Sequence, residues 1–153
     1  MVPACWQAGV RAHHDILTMT QYSFRVTKPR TSTARELFGI LGSCPRASAM
    51  QREWNAYFER EGIDAFMGRY PASVKLLPER LSEMFHFDRR AYIVCLRLQK
   101  AILSLLDALD SSAAGEGRAD IVINGGGVIT GYFLGDGPPE NMYQRLCHGE
   151  VAD

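Results

Sequence analysis

The chain of 153 residues is about the size of one domain, and 46% of its residues are hydrophobic, which is typical of a globular protein. Its 17 basic and 17 acidic side chains balance, which argues against a nucleic-acid interface and a polybasic membrane surface, since both need a basic patch. No apolar run reaches the roughly 18 residues of a membrane-spanning helix, and no secretory signal is visible. The cysteines show no CxxC pair or zinc spacing, so we expect reduced thiols, no metal site and a cytoplasmic protein.

The first third of the chain predicts two strands and a helix. Residues 1–20 show no clear period and are interpreted as an N-terminal extension. Alternating apolar residues predict a strand at Gln21–Lys28, and the apolar run Glu36–Gly42 predicts a buried strand. A helix follows, whose apolar face consists of Met50, Trp54, Tyr57 and Phe58. Ser48 with Gln51 fits a capping box at its start, and Gly62 fits its end.

The middle of the chain continues the alternation of strands and helices. Ile63–Tyr70 predicts a strand, residues 76–87 a helix with Pro78 in its first turn, and residues 90–96 a third strand. The next segment predicts a helix with a wide apolar stripe formed by Leu98, Ala101, Ile102, Leu105, Leu106 and Leu109. Residues 111–118 are interpreted as a flexible loop.

The last part predicts a β-hairpin and a tail. Residues 119–123 and 128–133 are interpreted as strands around Asn124–Gly127, where glycines allow a tight turn. A final helix is predicted at Asn141–Cys147. The element order predicts an α/β fold: a three-layer sandwich with a mostly parallel sheet, helices on both faces and a C-terminal β-hairpin. Ligands in such sheets lie beyond the carboxyl ends of the strands.

Two residues at these predicted strand ends are candidates for chemistry. Lys100 falls where the third strand meets the predicted helix, and an amine held at a helix amino terminus can act as a general acid and base. It can equally be an exposed residue on the outer face. The Ser48 hydroxyl can cap its helix or donate to a bound carboxylate, and Arg46 nearby can help to hold an anion. The Gly125–Gly127 run is no phosphate loop, because a strand follows it and not a helix.

The segments "LFGILGSCPRASAMQREWNAYFEREGIDAFMGRY", "YIVCLRLQKAILSLLDALD" and "RADIVINGGGVITGYFLGDG" resemble the substrate-binding domain of shikimate dehydrogenases. Order and spacing match from about Glu36 to Gly137. The resemblance implies a domain at 21–137 with a C-terminal tail at 138–153. It also implies a cytoplasmic oxidoreductase fold of the shikimate pathway of aromatic amino acid biosynthesis.

The resemblance assigns roles to five residues. Lys100 falls on the catalytic lysine of the family, and Asp136 falls on its catalytic aspartate with a one-residue insertion. Ser48, Asp120 and Tyr132 fall on substrate-binding positions.

Several polar positions of the family are replaced in this chain. Met50 stands at its second serine, and Val94 and Leu96 stand at the asparagine and threonine that precede its lysine. Each lost polar contact removes about 0.5–1.5 kcal/mol of binding free energy, so we expect weakened shikimate binding.

The family's NADP site lies on a further domain that would follow Gly137. The resemblance therefore implies that this chain alone binds no cofactor and transfers no hydride. It implies a small shikimate-like ligand, with a separate cofactor-binding chain or a homo-oligomer as candidate partners. A ligand-sensing or regulatory module without catalysis, and a truncated remnant without a ligand, remain as alternatives.

Overall fold

The computed structural model describes residues 35–148, so the predicted N-terminal extension and the strand predicted at Gln21–Lys28 lie outside the described residues. Helices and strands are numbered here along the described range. The strands are β1 (Glu36–Leu41), β2 (Ala65–Tyr70), β3 (Arg89–Val94), β4 (Ala108–Leu109), β5 (Ile121–Gly125) and β6 (Val128–Tyr132). The α-helices are α1 (Ala47–Arg60), α2 (Leu77–His86), α3 (Ser111–Glu116) and α4 (Pro139–His148). Short 3-10 turns cover Val74–Leu76, Leu96–Leu98 and Leu103–Leu105.

The strands form one six-stranded sheet in the order β2-β1-β3-β5-β6-β4. β1 pairs in parallel with β2 and β3, and β4 pairs in parallel with β6. β5 runs antiparallel to its neighbours β3 and β6. The carboxyl ends of β1, β2, β3 and β6 therefore share an edge with the amino end of β5, and this edge carries the candidate site.

Apolar side chains pack on both faces of the sheet. One face packs α1 and α4 against the strands through Phe38, Ile40, Trp54, Tyr57, Phe58, Met142 and Tyr143. The other face packs α2, α3 and the 3-10 turns through Leu41, Leu77, Leu81, Met84, Tyr92, Leu98, Ile102 and Ala113. The predicted three-layer α/β sandwich, with its mostly parallel sheet and C-terminal hairpin, is confirmed.

The helix predicted across Leu98–Leu109 is wrong. The chain makes two 3-10 turns there and then pairs with β6 as the short strand β4. Asp107 N donates to Ile129 O at 2.9 Å, and Asp110 N donates to Gly131 O at 2.9 Å. These hydrogen bonds need extended backbone, so pairing with the sheet edge overrides the helical spacing of the apolar residues.

The flexible loop predicted at residues 111–118 is also wrong, because α3 occupies most of it. Asp110 caps this helix: its Oδ2 accepts from Ser112 N at 3.0 Å. Gly117 ends the helix with φ +67°, a left-handed conformation that glycine adopts without strain. The last predicted helix is confirmed as α4, which begins slightly earlier than expected.

Within the described range no helix is both long and apolar enough to cross a lipid bilayer.

Candidate functional site

A cleft opens at the carboxyl edge of the sheet, between the start of α1 and the loop that follows β6. Its shared walls consist of Arg46, Met50, Ile93, Val94, Gln99, Asp120, Gly135 and Asp136. One lobe of about 450 Å³ extends along α4 and adds Glu53, Trp54, Gly137, Pro138, Pro139 and Met142. We call it the α4 lobe. The other, of about 280 Å³, adds Cys44, Cys95, Leu96, Arg118 and Phe133, and we call it the Arg118 lobe.

Asp120 ties together three chain segments at the floor of this cleft. Its Oδ1 accepts from Leu134 N at 2.8 Å, and its Oδ2 accepts from Gly135 N at 2.7 Å. Its backbone oxygen accepts from Val94 N at 2.8 Å. Burial raises the pKa of the Asp120 carboxyl, and the two backbone N–H groups oppose this shift. Asp120 therefore fixes the loop that carries Asp136.

Asp136 follows this fixed loop and is exposed on the cleft wall. Its neighbour Gly135 has φ +79°, a conformation open to glycine that turns the chain directly after the Asp120 contact. The structure thus brings Asp120 and Asp136 into one cleft. An exposed carboxylate at this place can accept a hydrogen bond from a ligand hydroxyl.

Gln99 contributes a buried amide to the same wall. Its Nε2 donates to Val94 O at 2.9 Å, and its backbone oxygen accepts from Ala119 N at 3.0 Å. Its Oε1 is buried and has no hydrogen-bond partner among the described residues. Sequence reasoning missed Gln99, although an uncharged polar side chain within the largely apolar stretch "CLRLQKAIL" is a usable signal.

Lys100 is exposed and is not among the side chains that line either lobe of the cleft. It lies in a turn, with its backbone oxygen accepting from Leu103 N at 3.3 Å. The prediction that it begins an α-helix is therefore wrong. Gln99, its neighbour in sequence, lines the cleft instead.

Ser48 lies on the opposite side of α1 from Met50. Its hydroxyl accepts from Arg69 Nη1 at 2.7 Å and lines a second cavity of about 440 Å³ between the ends of β1 and β2. The predicted capping box is wrong, because the helix begins after Arg46 and has no side-chain cap. Gln51 instead donates from Nε2 to Met67 O at 3.1 Å. The structure therefore separates Ser48 from Asp120 and Asp136.

Tyr132 ends β6 with a half-buried side chain that packs against the core beside α1 and α4. Burial raises the pKa of its hydroxyl, and the charge of Asp110 adds to this shift. Its side chain is absent from the walls of both lobes, whereas that of Phe133 lines the Arg118 lobe.

Two thiols lie in the wall of the Arg118 lobe. Cys44 and Cys95 follow the neighbouring strands β1 and β3, and both are free. Burial raises the pKa of the Cys95 thiol to about 12, and its hydrogen bond with Cys44 adds to the shift. A thiol held in its protonated form is a poor nucleophile, so the buried Cys95 is best described as a small apolar packing group.

Two guanidinium groups line the cleft. Arg46 forms an exposed pair with Glu53 at 3.4 Å. Arg118 stacks over the ring of Phe133, with its Cζ 4.8 Å from the ring centroid. Nothing in the sequence pattern distinguishes Arg118 from the other arginines, so sequence reasoning missed it.

Among the described residues, no group of three or more potential ligands could hold a metal ion.

No family model and no curated protein matches the chain, but solved structures do. Shikimate 5-dehydrogenase from Listeria monocytogenes, in complex with shikimate and NAD, is 24% identical over 70% of this chain, with a TM-score of 0.64. Its counterpart from Thermus thermophilus, in complex with shikimate, is 26% identical over 63% of this chain, with a TM-score of 0.57. The ligand-free 5-ketofructose reductase of a Gluconobacter strain is 18% identical over 72% of this chain, with a TM-score of 0.61.

The described chain has the fold of these enzymes. It spans 37% of the length of each of the three. Its mostly parallel sheet and flanking helices match one part of the shikimate dehydrogenase structures. The predicted resemblance therefore holds for the fold, and the roles of individual residues remain predictions.

Proposed function

We propose that the cleft binds shikimate or a related hydroxylated ring carboxylate. The observation that carries this proposal is the placement of Asp120 and Asp136 on one cleft, at the sheet edge where open α/β folds bind their ligands. Structures of the same fold contain shikimate, which supports the choice of ligand class. The lobes of about 450 and 280 Å³ are of the size that small-molecule sites have.

In this proposal Asp136 accepts a hydrogen bond from a ring hydroxyl of the ligand, and Asp120 keeps the Asp136 loop in position. The Val94 and Met50 side chains give the cleft apolar walls that pack against the ring. Ser48 and Tyr132, which the resemblance places at the substrate, act outside the cleft walls, so substitution of either should change affinity less than substitution of Asp136.

Catalysis is the further step of the proposal. The resemblance implies that Lys100 and Asp136 act as a pair on the hydroxyl that is oxidised, while NADP accepts the hydride. We propose that NADP, where it takes part, is held outside the described domain, by another domain or a partner chain. The described domain then supplies the substrate site and the proton-accepting groups.

A ligand-sensing role without catalysis is the second candidate. The position of Lys100 favours it, because an exposed lysine away from the cleft walls cannot pass a proton to a bound hydroxyl unless it moves. The apolar Met50, Val94 and Leu96 also suit a site that binds without reacting.

Calorimetric titration of the purified chain with shikimate, quinate and dehydroshikimate tests the proposal. We expect binding, and we expect Asp136→Asn to weaken it by roughly tenfold, the value of one hydrogen bond to a charged group. Glu79→Gln removes one exposed negative charge on α2, on the other side of the sheet, and should leave the affinity unchanged. Lys100→Ala separates the two roles: weaker binding favours the catalytic pair, and equal binding favours sensing. Absence of heat with all three compounds at millimolar concentration would refute the proposal.

A further inference from the structure

We infer that Arg118 is the residue that binds the anionic group of the ligand, so that the ligand's carboxylate lies in the Arg118 lobe. This inference rests on the proposed function and names the orientation of the ligand within the cleft. It follows from the position of Arg118, from the lack of an ion-pair partner for it among the described residues, and from the placement of the alternative groups.

The position of Arg118 is fixed by its neighbours in the chain and by its contact with Phe133. It comes directly after Gly117, the left-handed residue that ends α3, and precedes Ala119, which is fully buried. Its guanidinium lies over the Phe133 ring at 4.8 Å. Phe133 is held in turn, because its N–H donates to Ser112 Oγ at 3.0 Å. A stacked guanidinium keeps its N–H edge free for a planar acceptor such as a carboxylate.

Arg118 makes no ion pair among the described residues, although it is partly buried. By contrast, the partly buried Arg89 pairs with Glu83 at 3.0 Å, and the buried Arg90 pairs with Glu36 at 2.6 Å. A partly desolvated cation without a partner gains free energy when an anion binds beside it. Arg118 is therefore the cation of the cleft with which a ligand carboxylate can form an ion pair.

The alternative anion-binding groups are less suitable. Ser48 lines the second cavity and not the cleft, its hydroxyl accepts from Arg69, and Met50 places a thioether in the cleft wall. Arg46 also lines both lobes, but its side chain is 71% exposed and already contacts Glu53. A solvent-exposed pair of this kind contributes little binding free energy.

The shared walls of the cleft suit the hydroxyl groups of the ligand. Gln99, Asp120 and Asp136 line the shared part of the cleft, next to the Arg118 lobe. A ligand with its carboxylate at Arg118 can direct its hydroxyls toward these side chains, whose oxygens accept hydrogen bonds. This orientation distinguishes hydroxylated acids from neutral polyols.

The test compares shikimate with its methyl ester, a neutral ligand with the same hydroxyls, on the wild type and on Arg118→Gln. We expect the substitution to weaken shikimate binding by roughly 10- to 100-fold, as for a charge-assisted hydrogen bond. Binding of the ester should change by less than about twofold. Arg118→Lys keeps the charge but not the planar fork, and should give an intermediate affinity for shikimate.

Arg97→Gln is the matched control. Arg97 is exposed in the 3-10 turn at the same sheet edge, and it lines neither lobe. Its substitution should leave both affinities unchanged. Circular dichroism melts of each variant check the fold, and Arg118→Lys carries the test if Arg118→Gln does not fold.

Three results would overturn the inference while the proposed function stands. They are equal weakening of acid and ester by Arg118→Gln, no weakening of either, or the same loss in Arg97→Gln. If the wild type binds neither compound, the proposed function itself fails, and the inference fails with it.

Discussion

Gly39 lies in the middle of β1 and leaves room for two tyrosine rings on the sheet. A Cβ atom at this position would lie 2.3 Å from the Tyr70 ring and 2.9 Å from the Tyr92 ring. These rings also pack against each other, with centroids 5.6 Å apart. Tyr92 is fully buried and donates to Arg80 O at 3.0 Å, so it cannot move aside without losing that hydrogen bond.

We therefore expect Gly39→Ala to lower the free energy of unfolding by about 1–3 kcal/mol, the usual result of overpacking a core. Urea denaturation followed by circular dichroism measures this change. Gly115→Ala is the control, since no atom lies within 4 Å of its added Cβ and the residue is in α3. Alanine should stabilise that helix by about 0.5–1 kcal/mol. If the Gly39→Ala variant is as stable as the wild type, the two tyrosine rings do not exclude a side chain at position 39.

At the scale of single residues, the sequence predicted which segments carry the site but not which way the side chains point. Ser48 and Met50 are two positions apart on α1, so a helix of 3.6 residues per turn sends them to different sides. The capping-box spacing of Ser48 and Gln51 was misleading, because both side chains contact β2. Arg118 had no periodic signal, and only the packing against Phe133 places it in the cleft.

At the scale of elements, one asparagine fastens α1 to the edge strand β2. Asn55 Nδ2 donates to Met67 O at 3.0 Å, and Asn55 Oδ1 accepts from Met67 N at 2.8 Å. β2 is the edge strand beside β1, so the side-chain amide occupies backbone groups that no further described strand pairs with. This contact closes the edge and fixes the register of α1 over the sheet.

Replacing Asn55 by Ala should lower the free energy of unfolding by roughly 1–3 kcal/mol, because the Met67 N–H then loses its partner and Met67 O keeps only the bond from Gln51. Hydrogen exchange followed by NMR should also show faster exchange of the Met67 amide. Gln51→Ala removes a donor to the same carbonyl but leaves the Met67 amide bonded, so its exchange should stay slow. Slow exchange at Met67 in Asn55→Ala would contradict this role of the asparagine.

The elements that the sequence predicted correctly are those whose packing agrees with their local pattern. α1 and α2 each turn one apolar stripe to one face of the sheet, as their spacing predicts. The segment after β3 does not: Leu98 and Ile102 are buried, whereas Leu105 and Leu109 are exposed. The end of this segment pairs with β6 as the strand β4, and the helical spacing of apolar residues gives no sign of such tertiary pairing.

At the scale of the whole molecule, topology explains why one cleft forms. β5 is antiparallel to β3, so Asp120 at its amino end meets the carboxyl end of β3 and the loop after β6. The alternation of elements was sufficient to predict the α/β sandwich and this sheet edge. It could not separate the cleft from the second cavity beside Ser48, because that depends on how α1 sits over β1 and β2.

The most direct test of the central claim is to locate the ligand by NMR. Titration of the isotope-labelled chain with shikimate should shift the amide signals of Val94, Gln99, Asp120, Gly135 and Asp136, which line the cleft. The amide signals of Arg69 and Ala72, beside the second cavity, should stay in place. Shifts confined to Gly42, Ser43, Ser48 and Arg69, which line the second cavity, or no shifts at millimolar shikimate, would contradict a ligand site between Asp120 and Asp136.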